Sequence, residues 1–235
     1  MKYKIKRSFN FWTNFLIFKF LESKRSKKVK KQTVSVVYNN DYISNEVIAF
    51  GGYENDLQNT IFKFLKNFKN RFAKGTCLDV GANIGTSSLN FSNYFKKVYG
   101  FEPDETTFKI YNLNIKNKKN IYPLNFGLGN TNATKKFYVD ELNKGESSLK
   151  PEIKKNKKIL NVKIKKLDDV KINFTDLSFV KVDIENGESD FFEGAKKIIN
   201  NFKPVIVFEY RKKKGLKNLT FPSVLNEYCF FEYLE

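Results

Sequence analysis

The chain has no histidine, and that single absence removes several chemistries. No Ser-His-Asp triad, Cys-His nucleophile, histidine-ligated metal or imidazole base can be assembled from it. Proton transfer must run on carboxylates, lysine, tyrosine or cysteine. Cysteine is itself scarce: Cys77 and Cys229 stand far apart with no CxxC spacing, which excludes a zinc site and a disulfide framework and suits a reducing, cytoplasmic compartment. No metal-ligand spacing is present, although carboxylates near Asp183 leave a hard cation open.

Arginine is nearly missing as well. Of the 43 basic residues only Arg7, Arg25, Arg71 and Arg211 are arginines, and the lysines run from Lys2 to Lys217. A surface selected to read nucleic acid recruits arginine for bidentate contacts to phosphate and guanine, so a nucleic-acid partner is not expected. The net charge of +18 still steers anionic substrates or an anionic membrane surface toward the protein.

Long apolar runs are lacking too. The stretch from Phe9 to Leu21 is interrupted by Asn10, Thr13, Asn14 and Lys19, so it falls short of the ~20 apolar residues of a membrane span. No small-residue cleavage site follows it. Residues 1–32 read as a basic amphipathic segment, either docked on the domain or lying at a membrane interface, with peripheral contact through residues 1–31.

What is present is a core. In 235 residues, 41% are hydrophobic and 16% aromatic, enough for one globular domain of roughly 200 residues. Alternation from Thr33, with Val34, Val36 and Tyr38 on one face, predicts a short strand. Ile61, Phe64, Leu65 and Phe68 repeat at helical spacing, with Gly75 where a cap would fall, so residues 33–75 form a strand and a helix packed on the core. From residue 76 the chain alternates short apolar runs at 76–80, 98–101, 121–126, 179–182 and 205–208 with helices at 86–95, 105–115 and 190–201. Buried β-branched and aromatic runs separated by helices mean an α/β fold: a doubly wound, mostly parallel sheet with helices on both faces. Residues 134–170, polar and turn-rich, insert into this 76–235 core as a hairpin or lid.

Chemistry concentrates at the ends of the apolar runs. Asp79-Val80-Gly81-Ala82-Asn83-Ile84-Gly85 makes a strand, a tight turn and a helix start, where backbone N–H groups can meet a carboxylate or phosphate. It is not the Gly-x-Gly-x-x-Gly of dinucleotide binding, because Asn83 takes the second glycine position. Phe101-Glu102-Pro103 then sets a carboxylate at the end of the second strand, placed to accept both hydroxyls of a ribose. Lys181-Val182-Asp183-Ile184-Glu185-Asn186-Gly187-Glu188 brings acids to the same edge. Asp183 at the strand end is the functional candidate and Glu185 its partner, while Glu188 and Glu193 read as helix-start and surface acids. Lys181 can orient a substrate, though a lysine snorkelling to the surface is the simpler reading. Glu209, after 205–208, is a second candidate base.

Taken together, Asp79 to Gly85, Phe101-Glu102-Pro103, Leu167-Asp168, Lys181 to Glu185, Glu193-Gly194-Ala195 and Phe208-Glu209 resemble, in order and spacing, the FkbM-type methyltransferases over residues 53–210. The resemblance implies a class I, Rossmann-like methyltransferase fold with S-adenosylmethionine as cofactor, and methylation of a hydroxyl oxygen on a sugar or other small or glycan acceptor. It further implies that Asp79, Gly81, Asn83 and Gly85 hold the methionine part, Glu102 the ribose, and that Asp183 faces the reactive methyl. Asn186 stands where the family usually has glycine, and asparagine tolerates the left-handed region. Two other readings compete. A nucleic-acid methyltransferase is favoured by the charge of +18 but lacks here the Asn/Asp-Pro-Pro-aromatic turn of base amino methylation, and a non-catalytic membrane-docked binding module would have Met1 to Lys31 as its working part.

Overall fold

A computed structural model describes residues 16, 20, 37, 38, 41–150, 158–209 and 222–229. The amphipathic segment 1–32 and the strand expected from Thr33 lie outside the described residues, apart from these isolated positions. Among the described residues no helix is long and apolar enough to cross a membrane.

Helix α1 spans Tyr42–Phe50. Asp41 caps it by accepting the Ser44 N–H, and Gly51 closes it in the left-handed conformation at φ 76°. Helices α2 (Asn55–Asn67) and α3 (Lys69–Phe72) follow. Ile61 and Leu65 point inward as their spacing predicts, but Phe64 and Phe68 stay at the rim with ring centroids 5.0 Å apart. Gly75 is not a helix cap. Its N–H bonds to the Phe72 carbonyl, and a Cβ there would meet Ser178 Oγ at 2.0 Å, so glycine lets β1 begin against its neighbour.

Five strands form the central sheet: β1 (Thr76–Val80), β2 (Lys97–Phe101), β3 (Ile121–Leu124), β7 (Leu177–Val182) and β8 (Val205–Phe208). Their order is β3-β2-β1-β7-β8, all parallel. The chain therefore winds outward from β1 and then crosses to its other side. A crevice opens beyond the carboxyl ends of β1 and β7 at this reversal, where ligands bind in such sheets. Every position of β1 and β7 is buried, which explains why they are largely apolar; Asp79 and Lys181 are the charged exceptions. One face carries Leu78, Val80, Val180 and Val182 against Phe191, Phe192 and Ile199 of the helices α6 (Glu188–Gly194) and α7 (Lys196–Phe202). The other carries Cys77, Val98 and Phe179 against α2, α3, α4 (Thr86–Phe91) and α5 (Glu105–Ile115). The doubly wound α/β architecture is as the sequence indicates.

One local difference has a steric cause. The helix expected over 190–201 is broken at Ala195, at φ −116°. A Cβ on Gly194 would lie 1.9 Å from the Gly129 carbonyl oxygen, so α6 ends tight against another backbone. Within the 134–170 insertion, β5 (Ala133–Val139) and β6 (Lys158–Lys165) join β4 (Gly127–Leu128), which precedes it, in a small second sheet of order β4-β6-β5. β5 and β6 pair antiparallel, as a hairpin insertion should, and Ser148 pairs back with Tyr138 to shape the tip beyond β5.

Candidate active site

The loop after β1 is folded onto the end of β2. The N–H groups of Gly81 and Ala82 both donate to the Phe101 carbonyl, and the Asn83 N–H donates to Glu102 Oε2 at 3.0 Å. Glu102 Oε1 accepts the Asp104 N–H at 2.8 Å. The carboxyl is thus gripped by two backbone donors, and it is only 6% exposed. Burial pushes its pKa up to about 8, with the two N–H donors pulling against that rise.

Gly81 and Gly85 owe their identity to the protein rather than to a ligand. Gly81 has φ +83°, and a Cβ on it would lie 1.9 Å from the Asp183 carbonyl oxygen. Gly85 has φ +93°, and its Cβ would strike the Tyr111 ring at 2.4 Å. Glycine at these two places lets the β1 loop close against the β7 loop and over α5.

The crevice is a cavity of about 480 Å³, within the range of small-molecule sites. Gly81, Asn83 and Glu102 line it, as do Asp183, Glu185 and Glu209. The structure therefore brings six of the eight expected site residues to one chamber. Asp79 and Gly85 do not line it. Asp79 is fully buried beneath the loop, where Oδ2 accepts the Ser88 hydroxyl at 2.6 Å and Ser88 in turn meets the Tyr111 hydroxyl at 2.8 Å. Its place as a contact to the methionine part is thus not what this geometry supports, because it is fully buried and does not line the chamber. Burial raises the Asp79 pKa, opposed by Lys181 and by the Ser88 hydrogen bond.

Lys181 corrects the sequence reading more sharply. It is not a snorkelling surface lysine: it is 5% exposed, lines the cavity, and places Nζ 2.6 Å from Asp183 Oδ2. Burial alone would lower its pKa, but the carboxylates of Asp183 and Asp79 outweigh that and raise it, so the ammonium keeps its charge. Glu188 begins α6, and Glu193 accepts from Asn130 Nδ2 on the surface, as expected of helix-start and surface acids. Asn186 adopts φ 64° and Glu185 φ 38°, with the Ser148 hydroxyl donating to the Glu185 carbonyl at 2.7 Å.

Comparison with known proteins now settles the family. The model of the methyltransferase FkbM domain matches residues 79–231. The chain belongs to the FkbM methyltransferase domain family. Among solved structures, it is similar to the methyltransferase FkbM from Methylobacillus flagellatus KT at 16% identity and a TM-score of 0.43, covering 83% of this chain and 48% of that one. The chain thus spans about half the length of that relative. It is also similar to precorrin-6y C5,15-methyltransferase from Geobacter metallireducens GS-15, at 13% identity and a TM-score of 0.37 over 63% of this chain and 60% of that one. SMU.1697c from Streptococcus mutans, solved with SAH, matches at 12% identity and a TM-score of 0.36, covering 60% of this chain and 65% of that one. No curated protein matches.

An FkbM-family methyltransferase draws its methyl group from S-adenosylmethionine, and the residues here fit that cofactor. Glu102 spends one N–H contact on each oxygen, and in its ionised form a carboxylate has about four lone-pair sites, so that form keeps acceptor capacity for two ribose hydroxyls. Gly81, Ala82 and Asn83 offer a backbone-lined wall for the amino-acid part.

The opposite wall was not foreseen. Tyr42, Glu46, Tyr53 and Glu54 line the chamber from before the region that the family model matches, and Asn143, Lys144 and Glu146 line it from the insertion tip. These two walls are fastened together: the Tyr42 N–H donates to the Leu142 carbonyl at 2.9 Å and the Lys144 N–H to Asp41 Oδ1 at 2.8 Å. The only local signal was Asp41 three residues before Ser44, a helix-cap spacing. Its meaning for the site depends on a contact across 103 positions.

Proposed function

We propose that this methyltransferase methylates a hydroxyl oxygen of a sugar or other small or glycan acceptor bound in the chamber, with Asp183 as the base. The observation that carries the reading is the position of the Asp183 carboxylate, on the cavity lining at the carboxyl end of β7. It faces the crevice whose other side Glu102 closes. A bound S-adenosylmethionine supplies an electrophilic methyl on sulfur, and transfer from it is an in-line displacement.

Alignment is then the main contribution of the protein. Glu102 and the β1 loop fix one reactant, and the wall from Tyr42 to Glu54 with the insertion tip fixes the other. A hydroxyl is a weak nucleophile until its proton leaves, and a positioned carboxylate contributes roughly 10²–10⁴-fold. Glu209 and Glu185 share the lining and are the alternative proton acceptors.

The test is methyl release from labelled S-adenosylmethionine over a glycan panel. Asp183→Asn is expected to leave cofactor affinity within about threefold by calorimetry while removing at least 99% of turnover, the lower end of what a general base supplies. Loss of affinity and turnover in equal measure would identify Asp183 as a structural acid instead.

A further inference from the structure

Register places three charged side chains in a row. Asp79 of β1 and Lys181 of β7 are direct cross-strand partners, so their side chains leave the sheet on one face. Asp183 lies two positions beyond Lys181, hence on that same face. Gly100 is the partner of Asp79 on β2. A Cβ there would stand 2.0 Å from the Tyr111 hydroxyl and 3.0 Å from Ser88 Oγ, so its glycine makes room for the group that holds Asp79. A row of polar groups thus crosses the sheet, with Tyr111, Ser88 and Asp79 bonded in series, Lys181 beside Asp79 by register, and Asp183 bonded to Lys181 at the chamber.

Within that line Asp79 Oδ1 is buried without a hydrogen-bond partner, and Lys181 is the cation that the register sets beside it. An unpaired buried charge is costly. The ammonium therefore has reason to stay where it is, drawn by the nearby charge of Asp79 on one side and bonded directly to Asp183 on the other.

We propose that Lys181 is a positioning residue for methyl transfer: its ammonium pins Oδ2 of Asp183, which fixes the carboxylate plane and presents Oδ1 to the methyl-accepting side of the chamber. The assignment rests on the reading of Asp183 given above. Lysine suits the task because its three donors sit on one compact head. The methionine of a Lys181→Met variant keeps the apolar stem and removes only the anchor.

The probe is [methyl-¹³C]S-adenosylmethionine bound to the full chain, whose methyl resonance reports the field of the group facing it. Asp183→Asn should displace that resonance. Lys181→Met should displace it in the same direction with cofactor affinity within threefold of wild type, and Lys181→Arg should return it at least halfway. If Asp183→Asn moves the resonance and Lys181→Met does not, the positioning role is overturned while the role of Asp183 stands. If Asp183→Asn itself leaves the resonance in place, the reading of Asp183 fails. Where Lys181→Met alone does not fold, the Asp79→Asn, Lys181→Met double variant carries the same measurement. Removing both charges should give a higher melting temperature than Lys181→Met alone, and a lower one would refute the anchoring by Asp79.

Discussion

Replacing Glu102 by glutamine should change stability with opposite sign at the two ends of the accessible pH range. In the folded apo protein burial lifts this carboxyl from its ordinary 4.5 to about 8. Below pH 4.5 it is protonated whether the chain is folded or not. Between 4.5 and 8 the unfolded chain releases the proton and the folded chain keeps it, so stability falls as pH rises, and above 8 the loss is complete. At about 1.4 kcal/mol per pKa unit, the loss amounts to roughly 5 kcal/mol. Glutamine carries no such dependence. It offers one acceptor oxygen where Glu102 offers two, so one of the Asn83 and Asp104 N–H groups goes unpaired, at about 1–3 kcal/mol. Glu102→Gln should therefore be less stable than wild type at pH 5, by about 1–3 kcal/mol, and more stable at pH 9. Urea denaturation of both proteins without cofactor at the two pH values decides it. A difference that is the same at pH 5 and pH 9 would refute the buried, proton-holding state of Glu102. The variant should also bind S-adenosylmethionine at least tenfold more weakly at pH 9, since a charge-assisted hydrogen bond is worth about 1.5–3 kcal/mol.

Gly81→Val should abolish cofactor binding by calorimetry, because a Cβ would meet the Asp183 carbonyl at 1.9 Å in a left-handed backbone; retained affinity would show that the loop can move aside. Asn186→Gly should stabilise the chain by up to about 1 kcal/mol, since glycine adopts φ 64° without a Cβ penalty, and thermal unfolding that shows no gain contradicts the strain argument. Phe179→Ala should cost about 3–5 kcal/mol in denaturant titration, because the ring is fully buried and packs against Phe72, Phe91 and Phe95. A loss below 1 kcal/mol would mean that this face repacks.

The residues legible in the sequence were those whose role is local. The runs at 76–80 and 205–208 match their strands: β1 is buried at every position, and β8, an edge strand, is half-buried throughout yet wholly apolar. Helix α5 matches as well, because Pro103 stops β2 and Asp104 caps the next helix by accepting the Thr106 N–H at 2.9 Å. Glu102 could be placed from its position at a strand end alone. Lys181 could not. Its burial depends on the register of β7 against β1, which sets it beside Asp79 across 102 positions of chain. Gly85 misled for a similar reason: a glycine in a strand-to-helix turn invites a ligand, but here the space it frees is taken by Tyr111 from the next helix. Helix α1 was missed because its inward residues, Ile43, Ser44 and Val47, include only two apolar side chains, too few to declare a periodicity.

The wall formed by α1, Tyr53 and Glu54 lies ahead of the stretch shared with the family, and it is tied to the insertion tip by one main-chain hydrogen bond, Tyr42 to Leu142, and by the Asp41 carboxylate accepting the Lys144 N–H. Donor recognition and the far side of the chamber are thereby written in separate stretches of polypeptide. One can be inherited unchanged while the other diverges. A chain trimmed to begin at the first core strand would keep the Glu102 clasp yet lay the chamber open along one flank.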